Sequence, residues 1–390
     1  MRLLRFSSAL LPLLSGFIIL SCGKMNSPSP TNSTPSGGAS SQVLYVIDKG
    51  AVSTYAVDKN ALTFTLLGQP VNLIPTGSLL QFVPAPDDNF LYGLWSDSAN
   101  QQHISVYGTD TSGIPQTPAV QTVDAPSLYQ FNIHRSARFV YMMQVSAVGT
   151  GYISTVRLFY VNSADGKLHE DPTIQGSYGP YDVLPASLYG FSADGTKIYL
   201  SRQNSGGPFY DQRSLNTQSG TVGPDVVLFQ PADGWINSDM LVIGTQVMVD
   251  EHRAAGSTGY IDVLPLVPRP RHHLFRCSAA MLPACETATN VQIDPSGQYL
   301  FLTDPQTQRV QVTRIRLKAK KVEDTGNALP MTAETPGFAF SPDGTLVYAV
   351  LASDSSVHVY SFNPTSGQLT GGETPLPIGG SYGFCPAFRP

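Results

Sequence analysis

An aromatic residue recurs about every fifty residues in this chain, six places after the start of a turn. Pro342-Asp343-Gly344 leads to Tyr348, Pro295-Ser296-Gly297 to Phe301, Ala193-Asp194-Gly195 to Tyr199, Arg135-Ser136-Ala137 to Tyr141 and Pro86-Asp87-Asp88 to Tyr92. Tyr45 fits one period upstream, and the gap from Tyr199 to Phe301 leaves room for one degenerate copy, so there are seven registers. A fixed period of this size specifies a propeller, a solenoid or another array of units that bury their faces only against neighbours.

Each copy is written in strands. Phe338-Ala339-Phe340, Val291-Gln292-Ile293 and Phe131-Asn132-Ile133 precede the turn, and Leu346-Val347-Tyr348-Ala349-Val350 follows it. These runs are β-branched and aromatic and are bounded by Pro, Gly, Asp or Ser. A period-two strand comes next, Val357 to Phe362, and then the turn phrase Asn363-Pro364-Thr365-Ser366-Gly367. The same phrase recurs at Val156 to Leu168, and more loosely at Ile104 to Gly113 and Val52 to Leu62. Four antiparallel strands per repeat make the blade of a β-propeller. The fifth copy is the faint one: Phe229 to Gly234 resembles the turn, but Leu241-Val242-Ile243 comes late and carries no aromatic.

The ends of the chain complement each other. Tyr45 sits on a second strand with only a Ser/Pro/Gly-rich stretch before it, whereas Ser381-Tyr382-Gly383-Phe384-Cys385-Pro386 looks like the inner-strand phrase Leu188 to Ala193 and then stops. The expectation is all-β: a seven-bladed β-propeller over residues 41–390, closed by a C-terminal inner strand that completes the N-terminal blade and removes two exposed sheet edges. The 35 Gly and 31 Pro suit turns, and a charged content of only 13% suits a single packed unit.

Residues 1–21 read as a targeting segment. Arg2 and Arg5 precede an apolar core, Ala9 to Leu20, and the segment ends in Ile19-Leu20-Ser21-Cys22-Gly23, which resembles the lipobox of bacterial lipoproteins. That resemblance implies cleavage before Cys22, its lipidation, and a place in the bacterial envelope, on the periplasmic face of the outer membrane or the cell surface. Residues 22–40 have the composition of a flexible tether reaching on the order of 25 Å. Without Arg2 and Arg5 the formal net charge goes from −5 to −7. Nucleic acid is therefore not the expected partner. Two basic clusters remain, Arg269 to His273 with Arg276, and Arg314 to Lys321; the second alternates with apolar residues and reads as an outer blade strand whose charges deter edge pairing, with an anion or headgroup site as the alternative. Cys277 and Cys285 flank a loop short enough for a disulfide. Cys385 then remains on the closing strand as a buried hydrophobe, or pairs with one of the other two.

The phrases Phe340-Ser341-Pro342-Asp343-Gly344-Thr345-Leu346-Val347-Tyr348 and Val357-His358-Val359-Tyr360-Ser361-Phe362-Asn363 resemble those of the lactonase-like seven-bladed propellers, the 6-phosphogluconolactonase and YVTN-repeat group. The resemblance implies a Pro-Arg-His phrase before the turn, with Arg and His at the mouth of the central channel. This chain departs from it. Counted back from each turn, the place of the His is taken by Gln81, Gln130, Leu188, Asn290 and Gly337, and by Ser381 in the closing strand; that of the Arg is taken by Leu80, Tyr129, Ser187, Thr289 and Pro336. Pro270-Arg271-His272 spells the phrase but has no turn after it, and reads as an outer strand.

A general base must titrate near working pH, and amides do not. Gln81, Gln130, Asn290 and Ser381 therefore form a neutral, polar mouth suited to an uncharged ligand such as a sugar. Gly379-Gly380-Ser381-Tyr382-Gly383 matches Gly-x-Ser-x-Gly but enters a strand, where a nucleophile elbow enters a helix. Asp250-Glu251-His252-Arg253 reads as a solvated inter-strand loop, with a metal site as the alternative, and His134, which ends an inner strand where it could face the channel, reads as a turn histidine. No metal or cofactor phrase is present. Two functions stay open: a membrane-anchored binding or scaffold module for a glycan, small molecule or protein, and a divergent lactone hydrolase.

Overall fold

The computed structural model describes residues 42–388 except 49, 75, 87–88, 135, 149–150, 193, 205–206, 230–235, 244–246, 254–259, 266–274, 289, 331–337, 342, 352–354 and 379–382. The chain folds as an all-β propeller of antiparallel sheets. It opens with β1 (Gln42–Asp48), β2 (Ala51–Asp58) and β3 (Thr63–Asn72), followed by the sheet of β4 (Ser78–Pro84), β5 (Phe90–Ser96), β6 (Gln102–Gly108) and β7 (Gln121–Asp124). Next come β8 (Leu128–Ile133), β9 (Phe139–Val148), β10 (Gly151–Val161), β11 (Leu168–Phe191), β12 (Lys197–Asn204), β13 (Gly207–Leu215) and β14 (Val222–Phe229). A four-stranded sheet follows, of β15 (Ile236–Ile243), β16 (Val247–Arg253), β17 (Tyr260–Pro265) and β18 (Phe275–Cys277), and then a short helix α1 (Ala284–Thr287). The last sheets hold β19 (Asn290–Ile293), β20 (Tyr299–Asp304), β21 (Arg309–Arg316) and β22 (Lys321–Pro330), then β23 (Phe338–Phe340), β24 (Leu346–Leu351), β25 (Ser356–Asn363), β26 (Gln368–Gly371) and β27 (Leu376–Pro377). The final strand, β28 (Gly383–Phe388), pairs antiparallel with β1, Tyr45 opposite Cys385.

The described strands form six sheets where the sequence leads one to expect seven, because β8 to β14 are joined in one sheet of seven strands. The joint is β11, 24 residues long: Leu168–Asp182 pairs with β10 and Asp182–Phe191 with β12. One uninterrupted strand thus serves as the outer strand of one half-sheet and the inner strand of the next.

Two kinds of turn set the period. Between first and second strands, the opening residue sends a side-chain oxygen to an amide five residues on: Ser341 Oγ accepts from Leu346 N (2.9 Å), Ser192 Oγ from Lys197 N (3.0 Å) and Asp294 Oδ1 from Tyr299 N (2.6 Å). Between third and fourth strands, Asn162, Asn216 and Asn363 each cap their own turn, Oδ1 accepting the amide two residues on at 3.0, 2.9 and 2.9 Å. Each of these turns ends in a glycine at positive φ, Gly166, Gly220 and Gly367, where a Cβ would meet the ring of Phe90, Phe139 or Tyr299 within 2.8 Å.

The recurrent aromatics are packed between sheets. Tyr45, Tyr92, Tyr141, Tyr199, Tyr299, Phe301 and Tyr348 are among the largest fully buried side chains. A buried phenol needs a hydrogen-bond partner. Tyr45 donates to the carbonyl of Gly113 (2.7 Å), Tyr92 to Gly166 (3.3 Å), Tyr141 to Gly220 (3.0 Å) and Tyr299 to Thr365 (2.8 Å), each reaching the third-to-fourth turn of the next sheet or half-sheet. In the β19–β22 sheet the beat position is Phe301, without a hydroxyl, and Tyr299 two places earlier makes the bond. Tyr199 Oη has no partner among the described residues, and the corresponding turn, 266–274, lies outside them.

The faint copy is displaced from where its sequence suggested. Leu241–Ile243 belongs to the inner strand β15, not to a second strand, and Leu241 pairs with Val249 of β16. Val249 lies fifty residues after Tyr199 and fifty-two before Phe301, so an aliphatic residue holds the beat there.

The basic run Arg314 to Lys321 is also corrected. Arg309–Arg316 is the third strand of its sheet, paired on both sides, because the outer edge is β22. Asp250 to Arg253 lies within strand β16 and not in a loop. Cys277 and Cys285 are joined by a disulfide across the loop that carries α1, both nearly inaccessible. Pro270-Arg271-His272 and Cys22 lie outside the described residues.

Candidate functional site

The inner strands converge on the propeller axis, and their register decides which residues share one level. In β4, Gln81 pairs with Leu94, two residues after the beat Tyr92; in β8, Gln130 pairs with Met143, two after Tyr141; in β19, Asn290 pairs with Thr303, two after Phe301. The three positions are equivalent. A bulge lies immediately before Gln81, between Leu79 and Gln81, and another before Gln130, between Leu128 and Gln130. Bulges re-aim the residues beside them and recur next to functional sites.

The same rule identifies two further members. In β11 it is Ser187, opposite Ser201, where counting from the turn gives Leu188; an irregularity between Leu188 and Gly190 accounts for the slip. In β15 it is Asp239, opposite Glu251, and here too the bulge falls immediately before it, between Asn237 and Asp239. Asp239 escapes sequence reasoning because the stretch that resembles this copy's turn, Phe229 to Gly234, precedes the inner strand β15 in the chain, so counting back from it leads away from Asp239. The signal that finds it is the fifty-residue step from Tyr199 to Val249. Ser381 lies outside the described residues, and the residue opposite Ile47, two after Tyr45, is Gly383.

Gln81 is almost wholly buried and its amide is engaged on both sides. Nε2 donates to the carbonyl of Phe131 (2.9 Å) and Oε1 accepts from the Phe131 amide (3.3 Å), which clamps β4 to β8. Gln292 makes a related contact, its Nε2 donating to the carbonyl of Phe338 at 3.4 Å and so joining β19 to β23. Gln130 is half-buried on the strand that Gln81 clamps.

The remaining polar groups of the sequence reading are structural in their contacts. His134 is buried in a first-to-second turn; its Nε2 donates to the carbonyl of Gly195 (2.9 Å), its Nδ1 accepts from the Ser136 amide (3.2 Å), and its ring meets Phe139 and Phe191 edge-on. That pattern ties one turn to the next. Arg276 forms a two-point ion pair with buried Asp262, at 2.8 and 2.9 Å. Asp294 is pushed up by burial, which outweighs the bonds it accepts from Ser296, Tyr299 and Gln298. Asp194 is held down at about 2 by the Ser192 hydroxyl and the Thr196 amide. Among the described residues no three His, Cys, Asp or Glu side chains are grouped to hold a metal ion.

Residues 272–382 match the lactonase family of seven-bladed β-propellers. A search of curated proteins finds no match. The chain is similar in structure to a putative 6-phosphogluconolactonase from Bacteroides uniformis, with 14% identity, 90% of this chain and 99% of that chain covered, and a TM-score of 0.63. It is also similar to the periplasmic gluconolactonase PpgL of Pseudomonas aeruginosa, with 15% identity, 90% and 100% coverage and a TM-score of 0.63. The TM-scores establish a shared fold, and together with the family match they bear out the resemblance to lactonase-like propellers.

Proposed function

We propose that this chain is a lactone hydrolase of the lactonase-like type, with Asp239 as its general base. The observation that supports this reading is one of register: a carboxylate residue occupies, in β15, the position that Gln81, Gln130 and Asn290 occupy in their own inner strands. A ring of neutral amides alone offers hydrogen bonds but no proton acceptor, and Asp239 supplies that missing function. The chemistry is then water addition. Asp239 takes a proton from water as the oxygen bonds to the lactone carbonyl, neutral donors at the same level suit the developing oxyanion, and the ring C–O bond breaks. The departing alkoxide recovers the proton from Asp239, and an open hydroxy acid leaves. The family match over residues 272–382 and the likeness to a gluconolactonase agree with this substrate class.

The architecture that goes with this reading is a ring of seven blades. The β8–β14 sheet counts as two blades sharing β11, and β28 closes the ring on β1. A lipid on Cys22 would hold the ring at the bacterial envelope, on the periplasmic face of the outer membrane or at the cell surface, with residues 22–40 as tether.

A second reading, a binding or scaffold module for a glycan, small molecule or protein, has its own support in the neutral residues Gln81, Gln130 and Asn290 at equivalent inner-strand positions. Acid release measured over a panel of sugar and aromatic lactones separates the two. Turnover above the uncatalysed rate sustains hydrolysis, and saturable binding without turnover favours the module.

A further inference from the structure

The turn between β21 and β22 is basic and carries an exposed apolar residue. Arg316 pairs with Lys321 to close the hairpin, and Leu317-Lys318-Ala319-Lys320 forms its tip. Leu317 is 40% exposed, among the few large apolar side chains left in solvent. From Arg314 to Asp324 five basic residues face two acidic ones in a chain whose formal net charge is −5. Glu323 is shared by Arg316 (2.7 Å) and Lys321 (2.6 Å), and Arg314 lies over the Tyr299 ring. Lys318 and Lys320 are exposed and have no carboxylate partner among the described residues.

The position of this hairpin relative to the start of the ring follows from a chain of contacts. Tyr299, opposite Arg314, donates to Thr365 in the β25–β26 turn; Phe362, just before that turn, donates its amide to Thr345; and Asp343, beside Thr345, accepts from Gln42 and Lys59. Gln42 is the first residue of β1. The chain therefore enters the propeller on the same rim that carries the basic hairpin.

We propose that the β21–β22 hairpin is a docking surface for an anionic lipid bilayer, with Lys318 and Lys320 against headgroups and Leu317 at the acyl boundary. Charge complementarity argues for it: unpaired lysines at the tip of a hairpin meet a negative surface within a Debye length, whereas the acidic remainder of the chain is repelled and stays away. Leu317, an exposed apolar residue among the lysines, suits the acyl boundary of such an interface. The proposal does not require a lipid on Cys22, but a tether that enters on this rim would present the same face to the membrane.

The test uses the full chain as Cys22→Ala, so that no lipid is attached, and vesicles of phosphatidylcholine with or without 30% phosphatidylglycerol at low and high salt. Cosedimentation should be several-fold stronger on the anionic vesicles, collapse at high salt, and fall about five-fold for each of Lys318→Glu and Lys320→Glu. Leu317→Ser should weaken it further, and thermal melting of all three variants should match the parent. Equal partition on the two vesicles, or binding indifferent to the lysines, overturns the proposal. Duplex DNA that holds the protein with the same lysine dependence would reassign the patch and also overturn it. Loss of membrane retention in cells on Cys22→Ala is a separate readout, which reports on lipidation alone.

Discussion

The phenol of Tyr141 donates a 3.0 Å hydrogen bond to the carbonyl of Gly220, joining the second strand of one half-sheet to the hairpin turn of the next. Tyr45 and Gly113, Tyr92 and Gly166 repeat it. Burial raises the phenol of Tyr141 far above its ordinary range, so the group acts as a permanent donor at any working pH. The fifty-residue beat is therefore an inter-blade staple at Tyr45, Tyr92 and Tyr141, and Tyr299 supplies it in place of Phe301.

Removing one staple should be costly and local. Tyr141→Phe leaves the Gly220 carbonyl without its buried partner, and a loss of about 1–2 kcal/mol in urea-derived stability is expected. Gly220→Ala adds strain at φ +67° and pushes a Cβ to 2.8 Å from the Phe139 ring, so it should cost at least as much. Stability unchanged in both variants would show that the aromatic face alone holds the blades.

How much of this was legible follows from the same contact. A position that buries a flat ring between sheets marks itself in the sequence as Tyr45, Tyr92, Tyr141, Tyr199 and Tyr348, which is why the propeller is legible in the spacing. Val249 keeps the place without the ring, so the sequence points to Leu241–Ile243, one element too early, and gives no sign of Asp239. The fusion through β11 was also invisible, because Gly176, Gly179, Pro180 and Pro185 punctuate it like a loop. Continuity there comes from pairing with β10 and β12, which no local pattern encodes.

Asp343 provides a pH-dependent contact where β1 meets the β23–β24 turn. Burial opposes its ionisation, but the Lys59 ammonium, the Ser341 hydroxyl and the Thr345 amide together hold it at about 2. The unfolded value is near 3.9. A depressed folded value stabilises above the unfolded one, so this contribution is full above about pH 4 and is lost as pH falls toward 2. The pair is partly solvated, which limits it to about 1 kcal/mol. Asp343→Asn should lower the melting temperature by about 2 °C at pH 7 and flatten the acid limb of the melting profile between pH 4 and 2. A variant whose acid limb superimposes on the parent would exclude Asp343 as a contributor.

Gln81 tests whether the inner ring is a clamp or a ligand site. Because both ends of its amide meet Phe131, Gln81→Ala should destabilise by about 1–3 kcal/mol in chemical denaturation. Gln81→Glu keeps an acceptor for the Phe131 amide but sets a negative oxygen against the Phe131 carbonyl, and should recover stability on acidification. Full stability in Gln81→Ala, with ligand affinity lost, would instead make Gln81 a recognition residue.

Cys22 tests the envelope reading. Replacing it by Ala should abolish labelling by a fatty-acid probe and release the chain from membranes in high salt, with no change in the melting of the propeller. Undiminished labelling of the variant would remove Cys22 as the acceptor.

Asp239 is the sharpest test of catalysis. Its backbone pairs with that of Glu251 in β16, and only Asp239 holds the inner-strand register of Gln81 and Gln130. If Asp239 is the base, Asp239→Asn should lower kcat for the best lactone by about 100-fold or more, with KM little changed. Glu251→Gln should keep most of the rate, since it lies one strand farther out. Equal losses in the two variants would point to a shared structural role, and full activity in Asp239→Asn would move the base elsewhere in the ring.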